Sequence, residues 1–316
     1  MKKALRIIGI ILLVIIAFVT IALFVFSKLM AYQNTHYYEN ATPAGELEKK
    51  YTAMGSLEVS SFEYNASDDT IKKFEVWYPS EMETRQGTYP VVIMANGTGV
   101  KASAYTEVFK HLASWGFIVA GNEDEYSWSG NSSAATLDFL LQMNEAEDSI
   151  FYHHVDTEHI GIAGHSQGGV GAINAVTNQA NGSMYTAMWT VSATHIDLAN
   201  GLGWPYDVSK VSIPYMMVAG TKTMDAGDGI EGSSTVGIAP LFSLQANYAT
   251  ISDDFTKVMA REKDKDHGDM LRYADGYMTA WFMYCLKNDA EAGTAFFGDN
   301  AELLTNPNWQ DVQIND

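Results

Sequence analysis

Residues 161–172 read GIAGHSQGGVGA. The stretch sets Ser166 inside Gly164-His165-Ser166-Gln167-Gly168, a G-x-S-x-G pattern. Before it runs HIGIAG, a short apolar strand; after it runs VGAINAVTNQA, a helix of small residues. A sharp turn from strand to helix forces the serine into a strained backbone conformation, and a side chain at either flanking glycine would clash. Such a turn lifts the hydroxyl above the sheet edge and beside a helix N-terminus, whose free amides favour negative charge. The competing reading is a plain glycine turn. A serine hydroxyl is a weak nucleophile and needs a base, so the rest of the chain decides between them.

Outward from this turn the chain alternates strand and helix signals. LEVSSFEYN and KKFEVWYPS alternate apolar and polar residues, which predicts an antiparallel edge pair. YPVVIMA is a continuous apolar run, suited to a strand buried on both faces. YTEVFKHLASWG, FIVAG, AATLDFLLQMN, HIGIAG and VGAINAVTNQA follow as helix, strand, helix, strand, helix. AMWTVSA, IPYMMVAG and FTKVMARE read as three more strands, with the helix IAPLFSLQANYA between the last two, and DGYMTAWFMYCLKND closes as a helix. Two antiparallel strands followed by β-α units predict an α/β fold: an open, mostly parallel sheet with helices on both faces. In such sheets functional groups gather at the carboxyl ends of the strands.

Downstream of Ser166 only two histidines occur, His195 and His267. On this topology the order is serine, acid, histidine. His267, in KDKDHGDM after strand FTKVMARE, suits the base; His195, in SATHID directly after the next strand, sits early for it and suits the pocket lining or a loop hydrogen bond. The acid should follow IPYMMVAG, where TKTMDAGDG offers Asp225 and Asp228, with Asp197 a further candidate. It would hold the histidine tautomer and stabilise the imidazolium. An oxyanion needs two backbone N–H donors. The residue after the nucleophile, Gln167, supplies one, and Thr98, in the loop Asn96-Gly97-Thr98-Gly99 after YPVVIMA, supplies the other. Tyr126 and Trp128 follow FIVAG, and Trp204 lies between AMWTVSA and IPYMMVAG; both places belong to the functional rim, where aromatics would grip substrate or simply pack under a loop. The connection carrying Trp204 has no room for a helical lid.

The chain has 316 residues and a net charge of −19; its first thirty residues carry four basic groups and no acidic one, so the remainder carries −23. A surface that acidic repels phosphate backbones, and nucleic acid is excluded as a partner. The one cysteine, Cys285, permits no internal disulfide and reads as a core residue. The acidic loops lack an EF-hand pattern or paired zinc histidines, so neither metal nor cofactor is expected. Five N-x-S/T sequons occur, at Asn40, Asn65, Asn96, Asn131 and Asn181; a glycan on Asn96 would block the oxyanion loop. Ile7 to Phe26 carries no charge. As a helix it would span about 30 Å, the thickness of a hydrocarbon core. Three basic residues precede it and no Ala-x-Ala site follows, which predicts an uncleaved signal anchor with the domain outside the cell. The expected organisation is a membrane anchor over 1–30, a polar stalk over 31–55 and a catalytic domain over 56–316.

With these residues in place the chain resembles the α/β-hydrolase superfamily, in particular the lidless branch of chlorophyllase-like proteins, dienelactone hydrolases and cutinase-like polyester hydrolases. The resemblance runs from about Leu57 to Val312 and rests on VDTEHIGIAGHSQGGVGA, HLASWGFIVAG and AWFMYCLKNDAEAGTAFFG. It implies a triad of Ser166, Asp225 and His267 with oxyanion donors Thr98 and Gln167. Three features depart from the family's pattern: Asn96-Gly97 stands where His-Gly is common, Asp225 lies five residues past Gly220 rather than about three, and a single cysteine cannot form the C-terminal disulfide of many cutinase-like members. The last point argues against a polyester hydrolase specifically. The expectation is a serine hydrolase that cleaves small or polymeric carboxylic esters through an acyl-enzyme. Acyl transfer, amide hydrolysis and an inert surface-tethered binding module are the alternatives.

Overall fold

A computed structural model describes residues 41–315. The expected membrane anchor, and residues 31–40 of the expected stalk, lie outside the described residues. Among the described residues no helix is long and apolar enough to cross a membrane.

These residues build a nine-stranded sheet. Strands β1 (Val59–Asn65) and β2 (Lys73–Pro79) form the antiparallel pair that their alternation predicts, and β2 continues antiparallel onto β4 (Ile118–Asn122). From there β4, β3 (Tyr89–Ala95), β5 (Val155–His165), β6 (Tyr185–Val191), β7 (Tyr215–Gly220) and β8 (Lys257–Glu262) run parallel. A ninth strand, β9 (Trp309–Ile314), closes the far edge antiparallel to β8. The strand order is β1-β2-β4-β3-β5-β6-β7-β8-β9. The C-terminal tail was not expected to pair with the sheet.

The central strands are apolar because both faces are covered. Every residue of β3 is buried. Val91 and Ile93 face one side, with Leu137 and Leu140 of α3 (Asn131–Glu145) and Val170 and Ile173 of α4 (Gln167–Asn178) in the same cluster. On the other side α2 (Thr106–Ser114) sets Phe109 against Gly121, and α7 (Asp275–Lys287) sets Phe282 against Gly161. The connection from β6 to β7, residues 192–214, holds only the short α5 (Ile196–Gly201) and one 3-10 turn (Val208–Lys210), so no lid domain stands there. Helix α6 (Leu241–Thr250) joins β7 to β8.

The stalk expectation needs correcting at its C-terminal end. Residues 43–55 belong to the folded unit, which begins at Pro43. Within them α1 (Glu46–Thr52) packs on α7 and buries Glu48, Tyr51 and Thr52. The stretch reads as polar because its glutamates and lysines are counted as solvated. Glu48 is instead satisfied inside: its carboxylate accepts from Ala44 N–H at 2.7 Å, Asn306 Nδ2 at 2.9 Å and Trp309 Nε1 at 2.8 Å.

Candidate active site

Strand β5 ends at His165 and α4 begins at Gln167, leaving Ser166 alone on the turn with φ 59° and ψ −123°. That left-handed φ is strained for a residue with a side chain. The turn is held by its own backbone: Ser166 N–H donates to Val191 O at 3.0 Å, and Gly169 N–H to Ser166 O at 2.9 Å. The two motif glycines are required by space. A Cβ at Gly164 would lie 2.1 Å from Gly168 O, and one at Gly168 would lie 2.1 Å from Ala95 O and 2.8 Å from Asn96 O. The close approach at Gly168 seats the loop after β3 directly against the start of α4.

In that loop the backbone donors are already assigned. Gly97 N–H donates to Tyr105 Oη at 2.9 Å, Gly99 N–H to Glu125 O at 2.9 Å and Val100 N–H to Gly97 O at 3.1 Å. Thr98, which is exposed, is left with a free N–H among the described residues. Gln167 is the first residue of α4, so its N–H has no acceptor within the helix. Asn96, where His is common in the resembling family, is buried and turns its Nδ2 to Asn122 O (2.7 Å) and Asp124 O (2.8 Å). Its carbonyl takes Ser127 Oγ at 2.6 Å. Asn96 thus fixes the loop carrying Tyr126 and Trp128, and its amide nitrogen is not available for a glycan.

His267 and Asp225 meet. His267 Nδ1–H donates to Asp225 Oδ1 at 2.7 Å, with Asp225 fully buried and His267 6% exposed. The carboxylate acceptor places the proton on Nδ1 and leaves Nε2 with a lone pair. Asp225 Oδ2 accepts from Ser192 Oγ at 2.6 Å and Gly220 N–H at 2.7 Å, so both carboxylate oxygens are engaged. His165, next to the serine, donates from Nε2 to His267 O at 3.1 Å, and the two rings lie 4.7 Å apart. Withdrawal from water, and then the neighbouring His267, pull the His165 pKa down to about 4, so at neutral pH it is an uncharged donor.

The other candidates lie elsewhere. Asp228 is exposed and bonds within its own loop, to the Ser233 hydroxyl, Thr235 Oγ1 (2.8 Å) and Ile230 N–H (3.0 Å). The Ser233 hydroxyl leads in holding its carboxyl below the usual range. Asp197 is exposed in the first turn of α5. His195 is buried just before α5, edge-on to Phe242 with centroids 5.9 Å apart, and neither ring nitrogen has a hydrogen-bond partner among the described residues. Burial lowers its pKa. Tyr126 is 61% exposed on the loop after β4. Trp128 and Trp204 are half-buried against the core, and Asn174 Nδ2 ties their loops by donating to Trp128 O (2.8 Å) and Pro205 O (3.1 Å).

A mixed, mostly parallel sheet with a strained serine at the carboxyl end of its central strand is the architecture of an α/β-hydrolase. The chain matches the family model described as PETase, PET hydrolase-like, over residues 43–224, more than half its length, and it belongs to that family. Membership points to ester hydrolysis. Thr98, Ser166 and Gln167 fall inside the matched segment, whereas Asp225 and His267 lie past its end. The missing C-terminal disulfide, which weighed against polyester hydrolases, does not keep the chain out of this family.

Sequence reasoning missed the contacts of Ser192, Tyr105 and His165 here, and that of Asp266, whose Oδ1 accepts from His267 N–H at 3.0 Å. Ser192 carries no motif. Asp266 stands directly before His267, but in KDKDHGDM nothing separates one acidic residue from the next.

Proposed function

We infer that the protein is a serine hydrolase of carboxylic esters in which Ser166 is the nucleophile, His267 the base and Asp225 the acid. The observation that carries this reading is the buried 2.7 Å contact of Asp225 with His267, whose backbone is bonded to the residue beside Ser166. Ser166 Oγ attacks the ester carbonyl while His267 Nε2 takes its proton. Thr98 and Gln167 N–H groups hold the oxyanion. His267 returns the proton to the leaving alcohol, and water, activated by the same ring, releases the acid from the acyl-enzyme. Asp225 keeps the proton on Nδ1 and balances the imidazolium.

The rim supports a bulky or surface-bound ester. Tyr126, Met224 and Ile230, after β4 and β7, and Ile196, Leu198 and Leu202, in and just after α5, are exposed near the strand ends around Ser166, and among the described residues no lid domain stands in the connection from β6 to β7. Tyr126, Trp128, His195 and Trp204 are the contacts proposed for it. In this reading the apolar run Ile7–Phe26 tethers the domain outside the cell. Carbonate-resistant sedimentation of the full chain with membranes checks the tether, and recovery in the soluble fraction would sink it.

The catalytic test pairs a fluorophosphonate probe with p-nitrophenyl esters from acetate to laurate. Wild type should label and turn over, and Ser166→Ala and His267→Ala should each lose at least about a thousandfold in rate. A folded wild type that neither labels nor turns over would leave a binding module as the better description.

A further inference from the structure

We propose that Asp266 is a positioning residue for the base and the acid together. This rests on the assignment of Ser166, His267 and Asp225 as a triad. A single oxygen, Asp266 Oδ1, accepts three backbone N–H groups: Met224 at 2.8 Å, Asp225 at 3.1 Å and His267 at 3.0 Å. Two of those amides belong to the acid's loop after β7, and the third is the base's own. The acid and base sit on separate loops, 42 residues apart in the chain, yet their side chains must hold a 2.7 Å contact. Asp266 fixes the two Cα positions from which that contact is made.

Chemistry favours a carboxylate here. Three convergent N–H dipoles form a small positive concavity, and an ionised oxygen satisfies them more strongly than a neutral one. Asp225 and the His165 ring flank the His267 ring, whereas Asp266 holds the His267 backbone N–H, so Asp266 acts on the base through its backbone without touching substrate. The two loops are joined a second time, by Thr221 and Lys222 N–H donating to Lys265 O at 3.0 Å each. Loss of the Asp266 side chain therefore loosens the site without separating the loops.

The experiment compares wild type, Asp266→Ala and Asp266→Asn, which keeps an acceptor oxygen, with His267→Ala as the assignment control. Proton NMR follows the far-downfield Nδ1–H of His267, and fluorophosphonate labelling with p-nitrophenyl acetate kinetics follows the chemistry. Asp266→Ala should lose or broaden the downfield proton and slow labelling by about ten- to a hundredfold, the scale of a small misplacement of reacting groups. The loss should fall on kcat with KM unchanged, and Asp266→Asn should recover most of it. An Asp266→Ala protein with the wild-type resonance and the wild-type labelling rate overturns the proposal. The NMR readout does not need turnover: a wild type that shows the resonance but never labels would defeat the hydrolase reading, while the resonance in Asp266→Ala still judges Asp266.

Discussion

At the scale of single residues the site is set by what cannot be added as much as by what is present. A methyl group at residue 164 would meet the Gly168 carbonyl, and one at 168 would meet the carbonyls of Ala95, at the end of β3, and of Asn96, all of it backbone with nowhere to move. Gly168→Ala should push the Thr98 amide away from the Gln167 amide, and Gly164→Ala should open the turn itself. Each should cost about 1–3 kcal/mol of stability or more, as overpacked sites do. Each should also slow fluorophosphonate labelling by more than its melting shift explains. Gly201→Ala is the control: nothing lies within 4 Å of a Cβ there, and its φ is ordinary. It should melt at or above wild type and label normally. If all three glycine variants behave alike, close approach is not what places the donors. Ser166 and its glycines were readable from the sequence because the constraint is local, one strained residue between two tight contacts. For Asp225 over Asp228 the sequence offers only a nearer place to the strand end, since both are loop carboxylates after β7. Burial and the contact with His267 are what set Asp225 clearly apart in the fold.

At the scale of elements the strands after β2 were legible because burial on both faces writes a continuous apolar run. β9 was not. WQDVQI has neither such a run nor clean alternation, and it follows Pro307. It is a strand because β8 offers an edge and because Arg261 bonds Asp311 at 2.7 Å and 2.9 Å, a pairing no local propensity encodes. Its docking also buries Glu262 at the end of β8, opposite Trp309, with one carboxylate oxygen unpaired. Desolvation, and then the nearby Glu48 carboxylate, push the Glu262 pKa from 4.5 up to about 8. The folded state therefore keeps this proton where the unfolded chain has lost it, so stability falls as pH rises from about 4.5 to about 8 and levels off above. Glu262→Gln removes that loss. Its urea midpoint should match wild type near pH 4 and exceed it by a growing margin up to about pH 8. Parallel pH curves for the two proteins would show that the side chain ionises freely in the fold.

At the scale of the whole molecule residues 43–55, at the start of the folded unit, and its C-terminal segment hold each other. Glu302 accepts from Leu47 N–H at 2.8 Å and Glu48 N–H at 2.9 Å, satisfying the first turn of α1 from across the chain, and it also takes Tyr277 Oη at 3.0 Å. Glu48 in turn accepts from Asn306 and Trp309. Tyr51, fully buried, lies 5.1 Å from the Trp115 ring and donates to Asp289 at 2.8 Å. At the other end of the segment the His111 ring lies between Ala53 O at 2.8 Å and the buried Asp275 carboxylate at 2.5 Å. The contacts with Asp289, Glu302, Asn306 and Trp309 each bridge more than two hundred residues of sequence, which is why a window read as a stalk is part of the domain. A chain starting at Pro43 should melt cooperatively. One starting at Ser56 takes one partner each from Asn306 and His111, two from Glu302 and the Glu48 acceptor from the buried Trp309 Nε1, and a buried group left unsatisfied costs about 1–3 kcal/mol. With the packing of the fully buried Tyr51 lost as well, the change is a sizeable fraction of the net stability of an ordinary domain, roughly 5–15 kcal/mol. Circular dichroism should therefore show the shorter chain melting at least about 10 °C lower, or without a cooperative transition. Equal melting curves would return residues 43–55 to the role of a tether and confine the folded unit to the chain from Ser56 onward.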